Sequence, residues 1–214
     1  MPNQDVLATL ARVGALITGD HLVYTSGRHG SSYVNKDALY PHTAATSEVC
    51  ARIAARFADA GVEVVAGPTV GGVIMAQWTA QHLSVLAGRE VLAVYAEEEV
   101  GEGGARRRLF RRGYDALVAG RRVLVVEDIL TTGGSVRLVV AAVNEAGGSV
   151  VGVGALCNRG GVSAEAVGAP LLFSLSEVPL ESFAPEDCPL CAAGVPINTR
   201  VGKGAAFLGA KTGT

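Results

Sequence analysis

The stretch Val123-Leu124-Val125-Val126-Glu127-Asp128-Ile129-Leu130-Thr131-Thr132-Gly133-Gly134-Ser135 decides how the rest of the chain is read. Its leading apolar residues have no polar alternates, which suits a strand buried on both faces. Two carboxylates follow. A Thr/Gly/Ser loop then opens a helix expected from about Ser135 to Ala146. Backbone N–H groups of such a loop and of the first helical turn converge on one anion. Gly133 and Gly134 allow close backbone approach, and Thr131, Thr132 and Ser135 add hydroxyl donors. Carboxylates beside an anion cradle conflict unless the ligand carries a diol as well as a phosphate. Glu127 and Asp128 then accept from ribose hydroxyls, directly or through Mg²⁺ and its waters. They also stand where positive charge develops on an oxocarbenium-like sugar. The competing reading is a βα turn that happens to be rich in glycine.

Outward from this strand the chain alternates. Residues 62–66, 91–96, 150–157 and 171–175 read as further buried strands. Helices are expected over 5–18, ending near Gly19, over 73–87, and from a Thr43 cap to about Ala60, with Gly61 as the stop. Residues 21–40 read as two short strands around the turn Ser26-Gly27-Arg28-His29-Gly30. Strand, helix, strand in succession implies a mostly parallel sheet covered on both faces, with ligands at the carboxyl ends of its strands. Gly67-Pro68-Thr69-Val70-Gly71-Gly72 is a second loop that follows a strand and opens a helix. Residues 97–113 are polar and rich in Gly and Arg, too long for an ordinary connection.

The 123–135 motif resembles the phosphoribosyl pyrophosphate signature of type I phosphoribosyltransferases, and the resemblance extends over residues from about 5 to 200. It implies an α/β fold with a five-stranded parallel sheet, flanking helices and a small N-terminal hood. The chain is then one domain over 1–214, with a hood at about 1–40 joined by the tail 176–214, and a core at about 41–175. Thr131, Thr132, Gly133, Gly134 and Ser135 hold the donor 5′-phosphate in that scheme. Thr69, Val70, Gly71 and Gly72 form the pyrophosphate loop. Some members carry a lysine at or near Val70; without it the backbone is the main anion contact. The segment from Ala96 to Arg112 becomes a flexible lid that excludes water. Glu97, Glu98, Arg111 and Arg112 are its candidate site residues, and its arginines could clamp pyrophosphate bidentately. One group of orotate-using members has lysines and a histidine where this chain has Glu98, Glu99 and Val100. The chain is more similar to a second group, through Ala96-Glu97 and Phe110-Arg111-Arg112-Gly113-Tyr114. Glu98 still stands where a cation is usual, and Arg106, Arg107 and Arg108 are candidates for the missing charge. A solvated surface loop of mixed charge is the alternative.

Thr25-Ser26-Gly27-Arg28-His29 resembles the Ser-Gly-Arg segment that hoods the base in orotate-using members. The resemblance puts Thr25, Ser26, Gly27 and Thr132 on orotate and Arg28 and Lys36 in the hood. Lys36 is expected to meet the orotate carboxylate or a donor phosphate, and His29 to lie near ligand. Arg159 ends a strand where the family binds the orotate carboxylate, a group that a planar guanidinium fits bidentately. Purine-using members usually need an aromatic stacker, and no obvious aromatic candidate stands near Arg159, Phe173 being the nearest. The implied reaction joins orotate and phosphoribosyl pyrophosphate into orotidine 5′-monophosphate and pyrophosphate, with Mg²⁺, in a homodimer whose lid reaches the partner's site. The alternatives are a purine or xanthine phosphoribosyltransferase, or a regulator that senses the donor without catalysis, for which the acidic lid argues.

The 214 residues carry a formal charge of −2, which gives no general attraction to nucleic acid or to an anionic membrane. No apolar stretch reaches spanning length and the N-terminus lacks a signal-peptide pattern, so a cytoplasmic enzyme with reduced thiols is expected. Cys188-Pro189-Leu190-Cys191 resembles the C-terminus of the second group. Cys-x-x-Cys is half of a four-ligand zinc site. With no second pair in the chain it is read as a structural knuckle, a site shared across a dimer being the alternative. His42 and His82 are read as surface or packing residues, and Trp78 as core or dimer interface.

Overall fold

Helix α1 (Pro2–Arg12) stops well short of the expected 5–18. Gly14 adopts φ 70°, its N–H reaches Ala11 O at 3.1 Å, and the Ala15 N–H reaches Leu10 O at 2.7 Å. This pair of bonds closes a helix end through a left-handed residue. The apolar residues beyond it belong to strand β1 (Leu16–Val23), which pairs antiparallel with β2 (His29–Val34). Lys36 then opens a short helix, α2 (Lys36–Leu39), rather than ending a strand. In α3 (Thr43–Arg56) the cap position falls on His42, not Thr43, and a 3₁₀ turn at Ala58–Ala60 leads to Gly61. The computed structural model describes residues 2–24, 26–177 and 182–212.

The main sheet holds β3 (Val64–Pro68), β4 (Leu92–Val100), β5 (Arg106–Leu109), β6 (Arg122–Leu130), β7 (Ser149–Asn158) and β8 (Leu172–Ser176). Their order is β5-β4-β3-β6-β7-β8. The ladder from β4 to β8 is parallel, as expected. The sixth strand, β5, is antiparallel to β4 and comes from the lid segment. Helices α4 (Gly71–Ala87), α5 (Tyr114–Val118), α6 (Gly134–Glu145) and α7 (Ala164–Val167) complete the layers.

Strand β6 lies at the centre and its side chains alternate between two cores. Leu124 and Val126 pack with Val49, Ile53, Phe57 and Met75 of the α3/α4 side. Val123 and Val125 pack with Val136, Val139 and Val143 of α6. Each fully buried aliphatic side chain of this kind contributes about 1.5–3 kcal/mol. The sheet is thereby held rigid up to the carboxyl ends of β3 and β6, where both Gly-rich loops begin.

The chain's two ends meet over the small sheet. Phe183 and His29 exchange backbone hydrogen bonds at 2.8 Å, Asn198 N–H reaches His21 O at 2.7 Å, and Lys203 N–H reaches Val23 O at 2.8 Å. Short helices α8 (Pro189–Ala192) and α9 (Gly204–Thr212) belong to this tail. The tail brings Cys188 and Cys191 onto the side chains of His21 and His29. The complement of the cysteine pair is thus a pair of histidines from the hairpin and not a second cysteine pair. His29, expected near ligand, is fully buried in this cluster instead. Among the described residues no helix is long and apolar enough to cross a membrane.

Candidate active site

Gly133 takes φ 73°, a left-handed conformation that a side chain disfavours, and turns the chain from β6 into α6. Val162 and Val167 press on its bare Cα, leaving no room for a Cβ. The loop and first turn line a cavity of about 120 Å³ with Glu127, Thr131, Thr132, Gly133, Gly134 and Ser135 on its walls. Thr132 Oγ1 accepts from Gly134 N–H at 3.4 Å. The five residues expected to cradle a phosphate thus lie on one concavity at a helix N-terminus, and Glu127 borders it.

Asp128 is buried beside them. Its Oδ1 accepts from Ile129 N–H at 2.7 Å. Its Oδ2 accepts from Tyr40 OH at 2.5 Å and faces Lys36 Nζ at 3.0 Å. Burial opposes the Lys36 ammonium, but the facing Asp128 carboxylate more than offsets it and raises the pKa above an ordinary lysine's. Burial, then the Asp128 charge, push the Tyr40 phenol far up, so it stays a donor. Glu127 is also pushed above the usual carboxylate range, by burial first and Asp128 second. Lys36 therefore meets Asp128 in this structure, a contact not anticipated, and Tyr40 was missed altogether. Both lie about 90 positions away from Asp128 in sequence, as the Tyr40 separation of 88 shows.

The loop after β3 lies against the same carboxylate. A Cβ on Gly71 would fall 1.8 Å from Asp128 Oδ2, so only glycine lets the two loops touch. The Thr69–Val70 peptide is cis, and the Val70 side chain is exposed. Thr69 and Val70 line an open cleft of about 590 Å³ with Tyr95, Glu97, Glu98 and Arg112.

Residues 96–112, expected as a lid, form a hairpin of β4 and β5. Glu98 stands opposite Arg108 and Glu99 opposite Arg107 in the β4/β5 register. On one face Arg108 reaches Glu98 at 3.5 Å, donates to Thr69 Oγ1 at 2.9 Å and donates to Ala96 O at 3.3 Å. On the other, Glu99 takes Arg107 at 2.6 Å and Arg111 at 2.5 Å, and Glu97 takes Arg112 at 3.0 Å. The acidic run is thus neutralised across the strand pair. Arg108, at 6% exposure, is the arginine of the run that reaches the loop after β3.

Arg159 leaves β7 with its guanidinium 5.6 Å from the centroid of the Tyr24 ring, beside a cleft of about 410 Å³ that also holds Asn158, Gly161, Ser163 and Glu177. The aromatic partner is therefore Tyr24, not Phe173, which sits under Arg56. Tyr24 OH donates to Ser32 O at 2.7 Å. Burial raises its pKa above an ordinary tyrosine's, Ser32 and Arg159 opposing this. Ser26 and Gly27 are exposed in the turn, and Arg28 is tied to Ser182 of the tail, its Nε donating to Oγ at 2.9 Å. Thr25 lies outside the described residues.

The chain is similar to known proteins in sequence and in fold. A family model described as a phosphoribosyl transferase domain matches residues 36–176. An orotate phosphoribosyltransferase of Pelotomaculum thermopropionicum is 38% identical over 196 residues, covering 92% of this chain and 95% of that protein. The chain belongs to the orotate phosphoribosyltransferase family. Another member, from Chlorobaculum parvum, is 36% identical over 198 residues, 92% of this chain and 95% of its own. Among solved structures, Mycobacterium tuberculosis orotate phosphoribosyltransferase in complex with inorganic phosphate aligns with a TM-score of 0.61 at 28% identity, covering 81% of this chain and 95% of that one.

Proposed function

We propose that the chain transfers the phosphoribosyl group of phosphoribosyl pyrophosphate to orotate, giving orotidine 5′-monophosphate and pyrophosphate. The observation that carries this reading is the 120 Å³ cradle at the α6 N-terminus with Glu127 on its wall and Asp128 beside it. The names of the relatives specify orotate.

The C1–O bond to pyrophosphate breaks, a bond from C1 to the orotate ring nitrogen forms, and the proton of that nitrogen passes to the departing pyrophosphate or to water. Residues 131–135 hold the 5′-phosphate. Glu127 and Asp128 take the ribose hydroxyls and stabilise positive charge at C1. The loop Thr69–Gly72 binds pyrophosphate through its backbone, and Arg108 supplies the cation that Glu98 does not. Glu97, Arg111 and Arg112 hold the hairpin closed. Arg159, stacked on Tyr24, takes the orotate carboxylate, under a hood that includes Ser26, Gly27 and Arg28. No covalent enzyme intermediate is required.

The donor set near the cradle is all oxygen, and Asp128 already serves Lys36 and Tyr40. That suits Mg²⁺ held by the oxygens of phosphoribosyl pyrophosphate and by water, with Glu127 and Asp128 reached through its waters and no firm protein ligand. When bound, the metal neutralises the leaving pyrophosphate. The pairing of Glu98 with Arg108 removes the main argument for a donor-sensing regulator. A homodimer completing the lid, and a reducing cytoplasm in keeping with the free thiols Cys50 and Cys157, belong to the same proposal.

The test follows orotate absorbance with protein, Mg²⁺ and donor, with adenine, hypoxanthine, xanthine and uracil in parallel. Donor-dependent loss of orotate alone is expected. Consumption of a purine, or donor binding with no turnover, overturns the assignment.

A further inference from the structure

The cluster between the small sheet and the tail lies outside the site described above. His21 and His29 come from the β1/β2 hairpin, and Cys188 and Cys191 flank and enter α8. Their four ligand atoms all lie within 4.8 Å of one another. His21 Nε2 is 3.0 Å from His29 Nδ1 and 3.6 Å from both sulfurs, and Cys191 Sγ is 3.3 Å from His29 Nδ1. Tetrahedral zinc, with Zn–S of about 2.3 Å and Zn–N of about 2.05 Å, sets sulfur and nitrogen about 3.6 Å apart and two nitrogens about 3.3 Å apart. These four spacings match that shape to within a few tenths of an ångström, and the remaining two pairs lie within 4.8 Å.

The surroundings prepare the ligands. His21 Nδ1 lies 2.7 Å from Val195 O. A carbonyl only accepts, so Nδ1 carries the proton and Nε2 turns a lone pair toward the other three ligand atoms. The His29 ring is packed edge-on against Phe207 at 4.7 Å between centroids, which fixes its orientation. His21, His29 and Cys188 are almost wholly buried, at 1%, 0% and 2% exposure. A histidine–histidine hydrogen bond alone accounts for the 3.0 Å contact but not for two sulfurs converging on the same nitrogens.

We infer that His21, His29, Cys188 and Cys191 form a closed structural Zn²⁺ site that fastens the C-terminal tail to the β1/β2 hairpin. Four protein ligands leave no open position for a substrate, which makes the site structural rather than catalytic. Binding displaces the two thiol protons, so a dication meets two thiolates and two neutral imidazoles, and the buried cluster is neutral. Two sulfurs and two nitrogens in a tetrahedron favour zinc over hard cations such as Mg²⁺. The hairpin so fixed carries the turn at Ser26 and Gly27 and leads directly to Lys36, so the metal positions the hood without touching the chemistry.

The test begins with elemental analysis of the full-length protein purified without chelator or affinity metal. About one zinc per chain is expected. A content near zero, or iron in its place, overturns the inference. Cobalt(II) exchanged into the same protein should give intense tetrahedral visible bands and a thiolate charge-transfer band. A weak octahedral spectrum overturns it equally. In C191S the charge-transfer band should fall by about half, since one of two thiolates is gone; an unchanged band means that the sulfur is not a ligand. These readouts come from the folded protein and stand whether or not it uses orotate.

Discussion

Lys36 Nζ lies 3.0 Å from Asp128 Oδ2, and the Tyr40 hydroxyl reaches the same oxygen. Asp128 is thus oriented before any ligand arrives. Asp128→Asn removes the charge and keeps the shape. Turnover should fall by about 10²-fold or more, with the far-UV circular dichroism unchanged. A variant of unaltered kcat would discard the role given to this carboxylate.

Arg159 should act on one substrate only. Truncation to Ala leaves the orotate carboxylate without its bidentate partner, a loss of about 1.5–3 kcal/mol, so KM for orotate should rise roughly 10- to 150-fold. KM for the donor should stay within about twofold. Equal losses for both substrates would place Arg159 elsewhere.

The two arginines facing Glu98 and Glu99 should differ sharply. Arg108 is buried and touches Thr69, whereas Arg107 is exposed and pairs with Glu99 alone among the described residues. Arg108→Ala should lower kcat/KM for the donor by about 10²-fold, and Arg107→Ala by less than about threefold. Steady-state kinetics with varied donor separates them. Similar losses would show that the lid arginines act as an undifferentiated charge cloud.

Glu127 predicts a pH dependence of stability. Its folded pKa is raised above the ordinary 4.5, by burial and then by Asp128. The folded state therefore holds the proton more tightly than the unfolded chain does. That stabilisation is complete below the ordinary value and is lost as pH rises through the folded one. Thermal melts of the ligand-free protein should lose Tm over this window, and Glu127→Gln should flatten the loss. Parallel curves for the two proteins would contradict the raised pKa.

Gly71 is where the two loops touch. Gly71→Ala puts a Cβ 1.8 Å from Asp128 Oδ2 and 2.5 Å from Tyr40 OH, so the carboxylate must move. A displacement of about 1 Å costs on the order of 10²-fold in rate. Kinetics paired with a melting curve would test this: activity should fall far more than stability. Full activity would mean that the loops are not held at this separation.

The parallel sheet was legible because β3, β4, β6, β7 and β8 are short apolar runs set between glycine-rich loops. The 131–135 cradle was legible because all of its parts are contiguous. The start of β1 was not, since Ala15, Leu16 and Ile17 continue the apolar content of α1 and only the left-handed turn at Gly14 separates them. The lid hairpin escaped notice because its pairing is written in charge, Glu98 to Arg108 and Glu99 to Arg107, with no apolar period of two. Lys36, Tyr40 and Tyr24 were invisible as partners of Asp128 and Arg159 because nothing local links them. The same holds for His21 and Cys188, 167 positions apart.

The backbone exchange between His29 and Phe183, and the reach of Asn198 to His21, impose an order of events on folding. The β1/β2 hairpin is made on the ribosome well before residues 183–203, which finish its outer surface. Contacts of such long sequence separation are slow to close. During synthesis the amino-terminal hairpin must wait, half-dressed, while the central sheet assembles. A nascent chain arrested before Phe183 would hold the whole 131–135 loop under an unfinished roof.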